Sequence, residues 1–136
     1  MNATTADFAT LLLRLWVGLH LALAHGLPKA ADPQAFLSGL AQRFPLPTAM
    51  GWFAILAELG GGLCLALGLR TRVAAAVIVP VLLGAAFVVH ADDPWAGHKE
   101  FPLTYAVVAL FFVAQGGGPL SLDARLARKR RSRGPW

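Results

Sequence analysis

Seven of the residues able to handle protons, bind anions or ligate groups occur where such residues are costly. Arg14 and Glu58 each interrupt a long apolar stretch, and His25, Lys29, His90, His98 and Glu100 stand where such stretches begin or end. An ionisable side chain near the middle of a membrane span costs about 2.5–3.5 kcal/mol on insertion scales. Each therefore needs a partner or a task. A carboxylate buried beside a guanidinium can take up and release protons, and the guanidinium can hold it charged or polarise a bound carbonyl group. Arg14 lies six residues into the first apolar stretch and Glu58 nine into the second. At 1.5 Å rise per residue this leaves about 7 Å of height between them in a core of about 30 Å. Two long side chains on adjacent antiparallel helices close that gap. The expectation is a buried Arg14–Glu58 ion pair, either a staple of helix register or a proton- and ligand-handling site.

The second group is expected to converge over the outer mouth. On a regular helix, residues 14, 18, 21 and 25 share a stripe, so His25 faces the same interior as Arg14, and His20 is turned about 140° away from His25. Lys29 follows one turn later if the helix continues past Gly26 toward Pro28. His90 ends a third stretch, and His98, Lys99 and Glu100 enter a fourth. These residues read as an outer ligand-binding rim, with interfacial side chains meeting water and headgroups as the simpler reading. No metal is expected, because HExxH and similar spacings are absent. His20 reads as an interhelical hydrogen-bonder and Cys64, the single cysteine, as a packing residue that excludes disulfide, CxxC and cysteine-zinc chemistry within this chain. Gly60-Gly61-Gly62 and Gly116-Gly117-Gly118 lack the strand-to-helix context of nucleotide loops and read as packing and helix-ending glycines.

The elements that position these residues are membrane helices. Of 136 residues, 57% are hydrophobic and only 14% charged, against roughly 25% charged in a soluble domain. Four spans are expected: Phe8 to Leu27, Ala49 to Leu69, Val73 to His90 with a kink at Pro80, and a short one, Phe101 to Gln115. Ala22-Leu-Ala24 resembles a signal-peptidase site, but Arg14 falls in what would be the apolar region, so the first stretch is read as a span. Between the first two spans, Asp32 as N-cap and Pro33 at the first position start a short helix with Phe36, Leu37, Leu40 and Phe44 on one face. It is expected on the outer surface, as a lid over the bundle. Gly18, Gly51 and Gly61 signal close helix contact.

The net charge of +5 is carried unevenly, with half of the twelve Lys and Arg after Leu122. Such a tail on an apolar body is read as an anchor to anionic headgroups, not as a nucleic-acid site. Eight basic residues against three place both termini in the cytoplasm. The fold expected is therefore all-α, a transmembrane four-helix bundle over residues 1–124, followed by a basic cytoplasmic tail without regular structure over 125–136.

The costly residues also carry a family resemblance. Arg14-x-x-x-Gly18 with His25-Gly26-x-x-Lys29 resembles the first helix of the DoxX family of small membrane proteins. Glu58-x-x-Gly61-Gly62, running to Gly68-Leu69-Arg70-Thr71-Arg72, is similar to that family's second helix and turn. Lys99-Glu100 and Gly118-Pro119-Leu120-Ser121-Leu122-Asp123 match its fourth helix and closing segment, with Leu120 where the family often has a glycine. The likeness covers roughly residues 9 to 123. It implies a four-helix fold in the bacterial inner membrane and association with redox complexes, the family being named after a subunit of a thiosulfate:quinone oxidoreductase. The functional expectation is a membrane subunit of an oxidoreductase assembly, with a quinone as candidate cofactor, Glu58 handling protons, Arg14 holding Glu58 charged, and a soluble or membrane redox partner supplying electrons. A proton or small-solute carrier and a non-catalytic scaffold for a soluble partner are the alternatives.

Overall fold

The computed structural model describes residues 3–132. Among these the chain forms six helices: α1 (Thr5–Ala31), α2 (Pro33–Arg43), α3 (Thr48–Leu67), α4 (Thr71–Val89), α5 (Glu100–Gln115) and α6 (Leu122–Ser132). α1, α3 and α4 are 27, 20 and 19 residues long and apolar enough to cross a membrane. With 16 residues, α5 spans about 24 Å and packs along α4. The four long helices form an all-α transmembrane bundle. Leu12, Trp16, Leu56, Val73, Trp95 and Val107 are more than half exposed on its outside, whereas Val17, Leu21, Leu65, Ile78, Leu82 and Phe112 close its centre. Lipid, not water, is the solvent such a surface matches.

α1 starts earlier and ends later than expected. Thr4 and Asp7 cap its first turn reciprocally, Thr4 Oγ1 accepting from the Asp7 N–H and Asp7 Oδ2 from the Thr4 N–H, which satisfies two of the otherwise orphaned donors. At the far end the helix continues through Pro28 because Leu21–Gly26 widens into a π-helical turn. α3 has the same widening over Leu56–Gly61, and the two wide turns lie against each other. α4 remains one helix through Pro80 and widens only over Ala85–Val89.

The α1–α3 interface is set by glycine. A Cβ on Gly18 would lie 2.5 Å from the Ala66 nitrogen and 2.6 Å from the Gly62 oxygen. No side chain fits there, so the two backbones touch between the two charged levels of the bundle. α2 forms as expected, with Asp32 Oδ1 accepting from the Ala35 N–H at 3.0 Å. Its Phe36, Leu37 and Leu40 pack over Gly51 at the start of α3, so it is a lid on that end of the bundle. We call this the cap end. The opposite, terminal end carries the start of α1, the α3–α4 turn, the end of α5, and α6.

The segment after Leu122 corrects the expectation of an unstructured tail, being helical to Ser132; Arg133 to Trp136 lie outside the described residues. Ser121 Oγ accepts from the Ala124 N–H and caps the start. Asp123 in the first turn and Lys129, Arg130 and Arg131 in the last complement the helix dipole, and Ala, Leu, Arg and Lys are strong helix formers.

Candidate functional site

The charged residues are built into two separate sites. At the terminal end, Arg14 is 2% exposed and points away from the membrane centre. Its Nε donates to the Ala66 carbonyl at 3.2 Å, Nη1 to that of Gly117 at 2.7 Å and Nη2 to that of Leu120 at 3.4 Å. Ala66 lies in the last turn of α3, and Gly117 just follows α5. The guanidinium thus sits at the negative ends of two helices and satisfies carbonyls that have no helical partner. Gly68, in the left-handed conformation (φ 71°), leaves room for it; a Cβ there would meet the guanidinium.

Beside Arg14, Asp123 replaces a cap that the sequence of α4 lacks. Arg70, at φ 45°, cannot cap the helix with its own side chain. Asp123 Oδ1 accepts from the Arg70 N–H at 2.7 Å, and Oδ2 from the Thr71 N–H and hydroxyl at 2.8 and 2.9 Å. Burial would raise the Asp123 pKa, but the bonds from Thr71 and Arg70 and the charge of Arg14 outweigh it and hold the carboxyl below its ordinary range.

The second site lies toward the cap end. Glu58, 4% exposed, sits in the wide turn of α3, and its two carboxylate oxygens accept from Lys29 Nζ at 2.7 and 2.5 Å. The Lys29 ammonium also lies 5.1 Å from the centre of the Phe36 ring of the lid, a cation–π arrangement. The expected Arg14–Glu58 pair is therefore not formed. Glu58 and Ala66 are eight residues apart, about 12 Å along α3. Arg14 reaches outward to carbonyls at the near end of the bundle, as long basic side chains in membranes do, and Glu58 is paired by a lysine from the far end of the same helix, α1.

The wide turn in α1 also rearranges the histidines. A π turn, with its i→i+5 hydrogen bonds, takes more residues per turn than an α-helix, which narrows the angle between residues five apart; His20 and His25 come to 5.3 Å between ring centres instead of diverging. His25 turns to the bundle surface, not into the interior stripe of Arg14, and stays within electrostatic range of Glu58, Lys29 and His20. His20 stacks on Tyr105 of α5 at 5.3 Å and approaches Trp16 at 6.0 Å. Trp16, His20, Leu12, Leu19 and Leu23 line an apolar groove of about 430 Å³ along the membrane-facing side of α1.

The outer rim divides. His25 and Lys29 gather around Glu58. His90 and His98 gather instead around Asp93 in the α4–α5 connection: His90 Nδ1 is 2.7 Å and His98 Nδ1 3.6 Å from Asp93 Oδ2, and the rings stack at 5.6 Å. The Glu100 side chain opens α5 and joins neither group by a hydrogen bond or ion pair among the described residues. No cluster of three or more His, Cys, Asp or Glu side chains suited to a metal ion occurs among the described residues. Reading the sequence missed Tyr105, Thr71, Asp93 and Asp123 as site residues. Tyr105 was marked by being the one tyrosine, within an apolar span; Asp93 was marked by lying between two histidines.

The comparisons with known proteins fit this arrangement. The DoxX family model matches residues 9–91, which includes both members of the Lys29–Glu58 pair and Arg14. A Bacillus subtilis (strain 168) protein named "Putative oxidoreductase CatD" is 30% identical over 120 residues, covering 86% of each chain. No solved structure matches the chain. With its four-helix membrane bundle and this match over most of its length, the chain belongs to the DoxX family.

Proposed function

We propose that this multi-pass membrane protein is a subunit of a quinone-linked oxidoreductase assembly in the bacterial inner membrane, with both termini in the cytoplasm and Glu58 handling protons. The observation that carries the reading is the partly buried Lys29–Glu58 pair beside the two facing wide turns, next to the His20–His25 pair that adjoins the membrane-facing groove. Wide turns of this kind recur at functional sites, and an intramembrane carboxylate is a functional candidate. A protein named as an oxidoreductase among the relatives supports the redox setting.

A quinone ring and its apolar tail fit the groove by chemistry: the walls are leucine and tryptophan, with the His20 imidazole as the polar group against a ring carbonyl. Quinone reduction consumes two electrons and two protons. Electrons come from a partner subunit, since no cofactor-holding motif is visible in the sequence. Protons pass between His20, His25 and Glu58, and Lys29 orients the Glu58 carboxylate through its hydrogen bonds. Arg14, engaged with three carbonyls, takes no part in this chemistry and is a structural residue of the terminal end. A carrier reading fits less well, because the Gly18–Gly62 backbone contact closes the interior between the two charged sites.

The test is quinone reduction by the purified assembly carrying Glu58→Gln. A loss of about 100-fold or more is expected for a proton-handling group; an unchanged rate removes the proposed role.

A further inference from the structure

Two arginines at the terminal end remain unused by either site. Arg70 and Arg72 flank the α3–α4 turn, both exposed, and among the described residues neither pairs with a carboxylate. They line a cleft of about 540 Å³ whose other walls are Val73, the Gly116–Gly118 loop and Ser121. Arg72 lies along the glycine loop, its Nε 3.4 Å from where a Gly116 Cβ would stand, and the residue is exposed. Asp123 also borders the cleft, but both its oxygens are taken up by the Arg70 and Thr71 N–H groups and the Thr71 hydroxyl, and Arg14 lies within range of its charge. With three guanidinium groups about one engaged carboxylate, the cleft is net positive.

We propose that this cleft binds the phosphate of an anionic phospholipid from the leaflet at the terminal end, with Arg70 and Arg72 as its partners. Guanidinium forks match phosphate oxygens in geometry and charge. The cleft lies where three spans end, at headgroup depth. Val73, a wall of the cleft on α4, is 59% exposed and offers apolar contact to acyl chains. A soluble phosphate compound would have no use for that apolar border. The site is distinct from diffuse attraction to the basic helix α6, because its two arginines are on the α3–α4 turn.

Native mass spectrometry of the full chain in detergent micelles, titrated with short-chain phosphatidylglycerol or phosphatidylcholine, tests the assignment. Phosphatidylglycerol is expected to be retained in preference to phosphatidylcholine. Arg70→Asn with Arg72→Gln, asparagine being tolerant of the left-handed backbone at position 70, is expected to weaken retention by about fivefold per arginine. Arg72→Gln alone, which leaves the turn intact, should show its single share even where the double variant folds poorly. Arg130→Gln with Arg131→Gln in α6 should leave retention within about twofold. The proposal fails if both arginine variants of the turn retain the lipid as the parent does. It fails equally if the α6 variant loses as much, which would mean diffuse attraction. Displacement by inorganic phosphate at the lipid's own concentration would assign the cleft to a soluble anion and overturn it as well.

Discussion

The terminal and cap ends of this bundle each bury a charge, and they do so in opposite ways. Arg14 is surrounded by carbonyls whose positions the backbone dictates, and Asp123 completes the neighbouring helix as a remote cap. Each nitrogen of the Arg14 guanidinium and both Asp123 oxygens are engaged by the fold itself. Glu58 has a single charged partner at the end of a flexible side chain, Lys29, which is 26% exposed. One charge is immobilised by helix ends; the other is held by a contact that can open. A buried ionic group is thus no single kind of object, and the nature of the partner separates scaffold from candidate chemistry.

The comparison breaks most visibly at Arg14. Arg14→Ala should destabilise the protein by about 3–5 kcal/mol, since it orphans carbonyls at two helix ends and leaves a cavity. Thermal unfolding in detergent would show this as a large drop in Tm. Arg14→Lys should recover only part, because an ammonium cannot reproduce the three-way fork.

The cap end should respond less in stability. Lys29→Met or Glu58→Gln alone is expected to cost about 2 kcal/mol, less than a fully buried pair because Lys29 is partly solvated. The double variant should recover most of that loss, which a double-mutant cycle by chemical unfolding would measure. Combining Arg14→Lys with Glu58→Gln should instead be additive within about 0.5 kcal/mol, as expected for sites that share no partner. A coupling well above that would restore the direct Arg14–Glu58 pair.

The smallest effect is the pH dependence of the terminal end. Asp123 has a depressed pKa in the folded protein, so the unfolded chain binds its proton first as pH falls. Its contribution is complete above the ordinary carboxylate range of about pH 4 and is lost as pH drops through the lower folded value. Melting curves in detergent across that range should show a loss for the parent that is reduced in Asp123→Asn.

Composition and spacing made the membrane bundle legible. Apolar runs near 20 residues admit few alternatives in lipid, where backbone groups must be satisfied within the segment. The Asp32-Pro33 start of the lid was legible for the same local reason, as was the cost of Arg14 and Glu58. Their pairing was not. A constant 100° per residue set His20 against His25 and His25 beside Arg14, whereas the wide turn at Leu21–Gly26 brings residues five apart nearer to one another. That turn depends on the fit of α1 against α3, which no local pattern records.

By itself, then, the amino-acid sequence determined which residues are expensive in a bilayer, because the energetics of burial depend on side-chain type and depth alone. Tertiary structure decided how each is compensated. Carbonyls of residues 66, 117 and 120 receive Arg14, and a lysine from the far end of α1 receives Glu58. The physical reason is that a long side chain can turn toward either end of its helix, and the direction is chosen by partners that only the packed bundle brings within reach.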